Sequence, residues 1–288
     1  MFYVCTPRPL KLARRAAGKF VMPLARSAAK SYTAGDRLED ALKIADHWSE
    51  IGVKATLGFW DSENQTPESV AKIYRQTIIA LAGSRDYVSI KLPALRYSNQ
   101  LLTTVAAEAH QRNVRLHFDS LWPETADQTR ATIDELLASP ACPKIGYTLA
   151  ARWNRCIDDA TWAIDRSLPV RIVKGQWPDP SRDRDLRQGY LDLIDTLAGR
   201  ARHVAVATHD APLIAKSLAR LRATKTSCEL ELLHGLPMRR CLEIANDLKV
   251  PVRIYLPFGK AHLPYAIRNA VHNPRLIWWL MKDLLGGN

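Results

Sequence analysis

The chain has 288 residues, 47% hydrophobic and 24% charged, with 41 Lys and Arg against 29 Asp and Glu, a formal charge of +12. That composition excludes a disordered chain, and with no window of about 20 apolar residues it excludes a membrane-spanning helix. The five cysteines, Cys5, Cys142, Cys156, Cys228 and Cys241, form no Cys-x-x-Cys pair and no zinc-ligand spacing, so free thiols in a reducing, cytoplasmic compartment and no metal are expected.

The most biased segment comes first. Residues 1–30 carry Lys11, Arg14, Arg15, Lys19, Arg26 and Lys30, and LKLARRAAGKFVMPLARSAAK has no acid. A basic helical arm is expected there, packed under the remainder or lying on an anionic surface such as the inner membrane. Pro23 interrupts its pattern, and SYTAGDRLEDALKIA then opens a helix. From there, eight short apolar runs bounded by turn signals read as strands at 53–59, 87–92, 114–119, 144–150, 170–175, 203–208, 228–233 and 252–257. The segments between them place apolar residues at helical spacing, for example SVAKIYRQTIIALAG, LRQGYLDLIDTLAGRA and APLIAKSLARLRA. Strands alternating with helices imply right-handed β-α-β units on a parallel sheet. Eight such units, with no dividing linker, imply closure into a single (βα)8 barrel over residues 31–288. A doubly wound open sheet is the alternative, but no Gly-x-Gly-x-x-Gly follows the first strand.

In a barrel the chemistry sits where strands end. Here Lys91 ends the second strand and Asp119 the third. Arg171 and Lys174 flank the fifth, and Thr208, His209 and Asp210 end the sixth. Glu229 and Glu231 lie on the seventh, followed by His234. Any one has an ordinary reading as a solvated lysine or an N-capping aspartate. Six strand ends carrying charge would converge on one mouth. The basic excess is spread along the chain with no nucleic-acid reading motif, so an anionic small molecule or cofactor, and no nucleic acid, is the expected partner.

The strings VRIVKG at 170–175, ATHD at 207–210, ELELLHG at 229–235 and YLPFG at 255–259 resemble those of the proline dehydrogenase family. So do IKLPAL at 90–95, RLHFD at 115–119 and the final LPYAIRNAVHNP, from about residue 30 to the end. The resemblance implies an α/β fold, a distorted (βα)8 barrel holding FAD non-covalently. It implies that a hydride passes from the ring carbon beside nitrogen of proline, or of a similar small cyclic amino acid, to the flavin. The product is the cyclic imine, and the electrons pass to a membrane quinone or another acceptor. Carried over by motif, Lys91, Asp119 and Arg171 would be catalytic, with Arg171 beside the flavin's reactive edge. Lys174, Gly175, Thr208, His209 and Glu231 would also bind the cofactor. Lys91, Trp177, Tyr265, Arg268 and Asn269 would bind substrate in a C-terminal helix and the adjoining mouth. Tyr265, Arg268, Asn269 and His272 are spaced i, i+3, i+4, i+7 and so share one helix face.

The chain departs from the family pattern around the substrate. Asn269 replaces the second of two consecutive arginines, Gln176 and Trp177 replace the residues that follow the Val-Lys-Gly motif, and Ala150 stands where a flavin-binding Gln is usual. His272 replaces an acid, and the gating acid falls near Ser62 or Glu63. These changes imply a shifted substrate, a substituted or larger cyclic amino acid. A flavin-free barrel of the same descent, acting as a binding module, is the other outcome such losses allow, and a different flavin barrel of the methylenetetrahydrofolate reductase kind is the third.

Overall fold

The computed structural model describes residues 33–62, 64–181 and 184–260. The basic arm at 1–30, Glu63, His262 and the C-terminal Tyr265, Arg268, Asn269 and His272 lie outside the described residues. Helix α1 (Leu38–Glu50) leads into β1 (Lys54–Phe59), and the chain then alternates regularly. It runs through α2 (Pro67–Ala80), β2 (Tyr87–Ile90), α3 (Asn99–Arg112), β3 (Arg115–Phe118), α4 (Ala126–Leu137), β4 (Ile145–Ala150) and α5 (Cys156–Asp165). Then follow β5 (Val170–Val173), α6 (Leu186–Leu197), β6 (Val204–Ala207), α7 (Ala211–Ala223), β7 (Cys228–Leu233), α8 (Arg239–Asp247) and β8 (Val252–Phe258). All eight strands pair in parallel and in sequence order. Closure is made by β1 on β8, from Lys54 opposite Arg253 to Phe59 opposite Phe258. The barrel expected from the alternation is therefore the fold.

Local chemistry sets the boundaries. Thr66, Ser98, Asp185 and Asp210 stand at helix N-termini, where each side chain accepts a backbone N–H that has no partner within the helix. The second and fifth strands stop two residues short of the sequence expectation. Pro93 has no N–H to give to a ladder, so Lys91 leads instead into a 3₁₀ turn over Leu92–Leu95. After β5 the chain turns away at Gly175, whose φ of 92° favours glycine. Among the described helices none is long and apolar enough to cross a membrane.

The core lies between barrel and helices. Leu57, Val88, Ile90, Leu116, Phe118, Leu149, Ile172, Val206, Leu230, Leu232, Ile254 and Leu256 are fully buried there. The opposite parity points inward and is unusually polar for a barrel interior, where branched apolar layers are the norm. Tyr87, Ser89, His117, Thr148, Arg171, Glu229, Glu231 and Arg253 are all buried. Such charges are tolerable only in hydrogen-bonded pairs. Here Lys91, Arg171 and Arg253 face Asp119, Glu229 and Glu231. Space is matched as closely as charge. A Cβ added at Gly58 would overlap the Tyr255 hydroxyl. Gly58→Ala is therefore expected to destabilise the fold by about 1–3 kcal/mol through overpacking, read as a lowered urea midpoint at unchanged m-value.

Candidate active site

At the C-terminal mouth the centre of the interior is Arg171, 4% exposed. Its Nη1 donates to Glu231 Oε1 at 3.1 Å, and its Nη2 donates to Thr148 Oγ1 at 3.0 Å, to Ser89 Oγ at 3.2 Å and to Asp119 Oδ1. The guanidinium lies over the Tyr255 ring at 5.2 Å. Ser89 donates its own proton to Asp119 Oδ1 at 2.6 Å, and Tyr87 donates to Glu231 Oε2 at 3.1 Å. Beside them Lys91 Nζ donates to Phe59 O at 3.0 Å, pairs with Asp119 Oδ2 at 3.3 Å and sits 5.2 Å over the Trp60 ring. A deeper layer repeats the pattern. Arg253 Nε donates to Glu229 Oε1 at 2.9 Å, its Nη1 donates to Ala55 O at 2.7 Å, and it stacks 4.2 Å over Tyr87.

These contacts fix the protonation states. Burial alone would lower the Lys91 pKa, but Tyr255, Asp119 and Tyr74 outweigh it and hold the ammonium charged. Burial pushes the Asp119 carboxyl up, yet Arg171, Lys91 and the Ser89 hydroxyl leave it below the usual carboxylate range. Arg171 is likewise held charged by Glu231 and Asp119. The mouth is thus a set of fixed charges, with no group among the three poised to exchange a proton near neutrality.

His117 behaves oppositely. Burial and then Arg171 drive its pKa well below the usual histidine value, so the neutral ring receives the Thr148 hydroxyl at Nε2, 3.1 Å away. Burial also lowers His209. A histidine depressed in the folded state stabilises fully above its unfolded pKa of about 6.5 and loses that contribution as pH falls, because the unfolded chain then binds more protons. The urea midpoint should therefore drop between pH 7 and pH 5.5, with a smaller drop in His117→Gln. The carboxylates Asp119 and Glu229 enter only below about pH 4.5.

Every strand-end residue singled out above lies at this mouth or just beneath it. Lys91 is buried rather than a solvated cap. Glu231, expected at the cofactor, has both oxygens taken by Arg171 and Tyr87, so it positions Arg171 from below. His209 uses both ring nitrogens within the protein, Nδ1 to Pro237 O at 3.0 Å and Nε2 from Leu233 N–H at 2.9 Å. It ties the ends of β6 and β7 together and leaves a ligand only its ring face. Thr208 Oγ1 accepts the Asp210 N–H at 3.2 Å. Sequence reasoning missed Ser89, Thr148, Tyr87 and Tyr255. The signal for two of them was the period of two that places 87, 89 and 91 on one face.

The residues present fit a flavin dinucleotide. At the rim Lys174 Nζ and Arg187 Nη2 converge on one oxygen, Asp210 Oδ2, at 3.0 and 2.8 Å. Two cations on one carboxylate leave positive charge for a diphosphate. The register aligns Ala150 with Val173 on adjacent strands, and Ala207 lies on the face of Glu231. The ends of β4, β5 and β6 thus form a small apolar ledge beside Arg171, suited to a planar ring. On the β7 side His234 Nδ1 is buried with no partner among the described residues.

No family model matches the chain. A protein named Proline dehydrogenase 1 from Bacillus subtilis is 25% identical over 281 residues, 90% of this chain and 91% of its own length. One named Proline dehydrogenase from Deinococcus radiodurans is 24% identical over 281 residues, 90% of each. Among solved structures, proline utilization A from Bdellovibrio bacteriovorus superposes with a TM-score of 0.75 at 17% identity over 86% of this chain. A bifunctional proline utilization A protein gives 0.70 at 20% over 95%. This chain spans about a third of each of those two, 32% and 34%. In sequence over 90% of its length, and in its closed (βα)8 barrel, the chain resembles the proline dehydrogenase family, as its strand-end motifs implied.

Proposed function

We propose that this chain is an FAD-dependent dehydrogenase that oxidises the C–N bond of proline, or of a proline-like cyclic amino acid, to the imine. The observation that carries this reading is the charge-balanced set of Arg171, Asp119, Glu231 and Lys91 at the mouth, reached from four different strand ends. Buried charges are costly to keep. A barrel that had abandoned its chemistry for a flavin-free binding role has no reason to retain them where ligands bind.

When bound, the flavin supplies the acceptor for the hydride that leaves the ring carbon beside nitrogen. The protein's own residues supply position and field. Arg171 presents a guanidinium that cannot deprotonate, held against rotation by Glu231, Thr148, Ser89 and Asp119, so negative charge developing on the bound ring meets a preorganised cation. Lys91 has three donors, one on Phe59 O and one on Asp119. Its remaining donor is offered to the substrate carboxylate. Trp177 walls the mouth on the β5 side with a bulkier surface than the family's, in keeping with a larger ring. Neither Lys91 nor Asp119 titrates near neutrality, so the substrate amine loses its proton elsewhere and the rate rises with pH through the amine's own ionisation. Lys174 and Arg187 hold the diphosphate. A quinone or other acceptor then removes the electrons.

The test is reconstitution and product identity. Protein soaked with FAD and desalted should keep a flavin absorbance band. Incubated with L-proline and an artificial acceptor, it should yield a product lighter by one hydride and one proton. A desalted protein without a flavin band, or with a band but no imine from any cyclic amino acid, contradicts the proposal.

A further inference from the structure

We infer that Trp122, backed by Trp177, forms a stacking platform at the barrel mouth for a planar, uncharged aromatic acceptor of the quinone class. The inference deepens the function proposed above, in which two electrons must leave the site. A quinone that takes them together with two protons becomes the hydroquinone.

The pair begins in the sequence as a repeated dipeptide, Trp122-Pro123 and Trp177-Pro178. A residue before proline is pushed to extended backbone, and Trp122 is so held at φ −131°, ψ 143°. Its carbonyl accepts from both Thr125 N–H at 3.2 Å and Thr125 Oγ1 at 3.0 Å. On the other side, Trp177 is fixed by the loop after β4. Buried Trp153 Nε1 donates to Trp177 O at 2.9 Å, Arg152 Nη1 donates to Gln176 O at 3.0 Å, and Asn154 N–H donates to Asp179 Oδ2 at 2.8 Å. The two loops therefore bring the rings together over the end of β4, with centroids 5.5 Å apart and planes 32° apart.

Trp122 is 38% exposed, which sets it apart from the buried apolar side chains of the fold. A rigid aromatic pair with one face open binds flat rings at little entropic cost. Its immediate chain neighbours Leu121, Pro123, Gln176 and Pro178 carry no charge. The carboxylate-bearing substrate is matched instead by the cationic floor at Lys91 and Arg171, so the uncharged rim suits the uncharged partner.

The test uses the full chain and duroquinone, a quinone with no lipid tail, in the absence of proline. Binding is followed by saturation-transfer NMR of the quinone methyl protons and by quenching of tryptophan fluorescence. Wild type should bind saturably. Trp122→Ala should weaken binding about tenfold, Trp177→Ala should weaken it as well, and Trp122→Phe should retain most of it. Unchanged affinity in Trp122→Ala, or no saturable binding by wild type, overturns the inference. So does Trp122-dependent binding to quinone-free vesicles of phosphatidylcholine and phosphatidylglycerol without binding of duroquinone, which would make the pair a lipid contact. Failure of the proposed function is distinguishable. Quinone binding that depends on Trp122, without oxidation of any cyclic amino acid, leaves the platform standing and the dehydrogenase reading refuted. The converse refutes the platform alone.

Discussion

Arg171→Met is expected to cost the fold about 3–5 kcal/mol, the usual penalty for removing one partner of a buried ion pair. Arg171 answers two carboxylates at once, Asp119 and Glu231, and both are buried beneath the mouth. Without it, the two acids retain only Ser89, Lys91 and Tyr87 as neighbours. Urea unfolding at pH 7 measures the loss. Arg171→Lys separates charge from geometry. It restores a cation, but one ammonium cannot reproduce the planar fork that spans Glu231, Thr148, Ser89 and Asp119. Arg171→Lys should recover part of the stability while its FAD-loaded form still reacts with proline at least tenfold more slowly than wild type.

The second large effect is expected at Asp119. Asn at this position keeps the shape and one acceptor, but leaves Lys91 and Arg171 facing Glu231 alone. A buried excess cation costs about 3 kcal/mol. Because Arg171 and Lys91 hold the Asp119 pKa down against burial, its stabilisation is complete above the unfolded carboxylate pKa of about 4 and disappears below it. The stability gap between wild type and Asp119→Asn should thus be full at pH 7 and narrow towards pH 3. A gap that stays constant with pH would show that Asp119 is not ionised in the folded protein. Lys91, having lost its partner, should also orient substrate poorly, seen as a slower single turnover.

The strands could be read from sequence because each is a short apolar run between turn residues, and the register followed from closure. The strand ends at Lys91 and Lys174 were less legible. Their boundaries depend on Pro93 and Gly175, which act through a missing N–H and a left-handed φ rather than through hydrophobicity. Charged strand-end residues drew notice because charge is visible in a sequence. Ser89 and Thr148 did not, since an uncharged hydroxyl on a strand reads as β-propensity. Arg253 and Glu229 sit in apolar runs, and only the closed barrel shows that they face each other. The clasp of the β4 and β5 loops joins residues more than twenty apart. Such contacts carry no local pattern, and the Trp122–Trp177 pair became visible only once the loops were in place.

The most direct test of the function is an anaerobic titration of the FAD-loaded protein with L-proline, followed by the flavin absorbance band. Bleaching of the band, by proline or by a larger cyclic amino acid at lower concentration, is the expected result. Bleaching should be lost in Arg171→Met under conditions where that protein is folded. A band that stays fully oxidised with proline and with every cyclic amino acid tried would contradict the assignment of the Arg171–Asp119–Lys91 mouth as a dehydrogenase site.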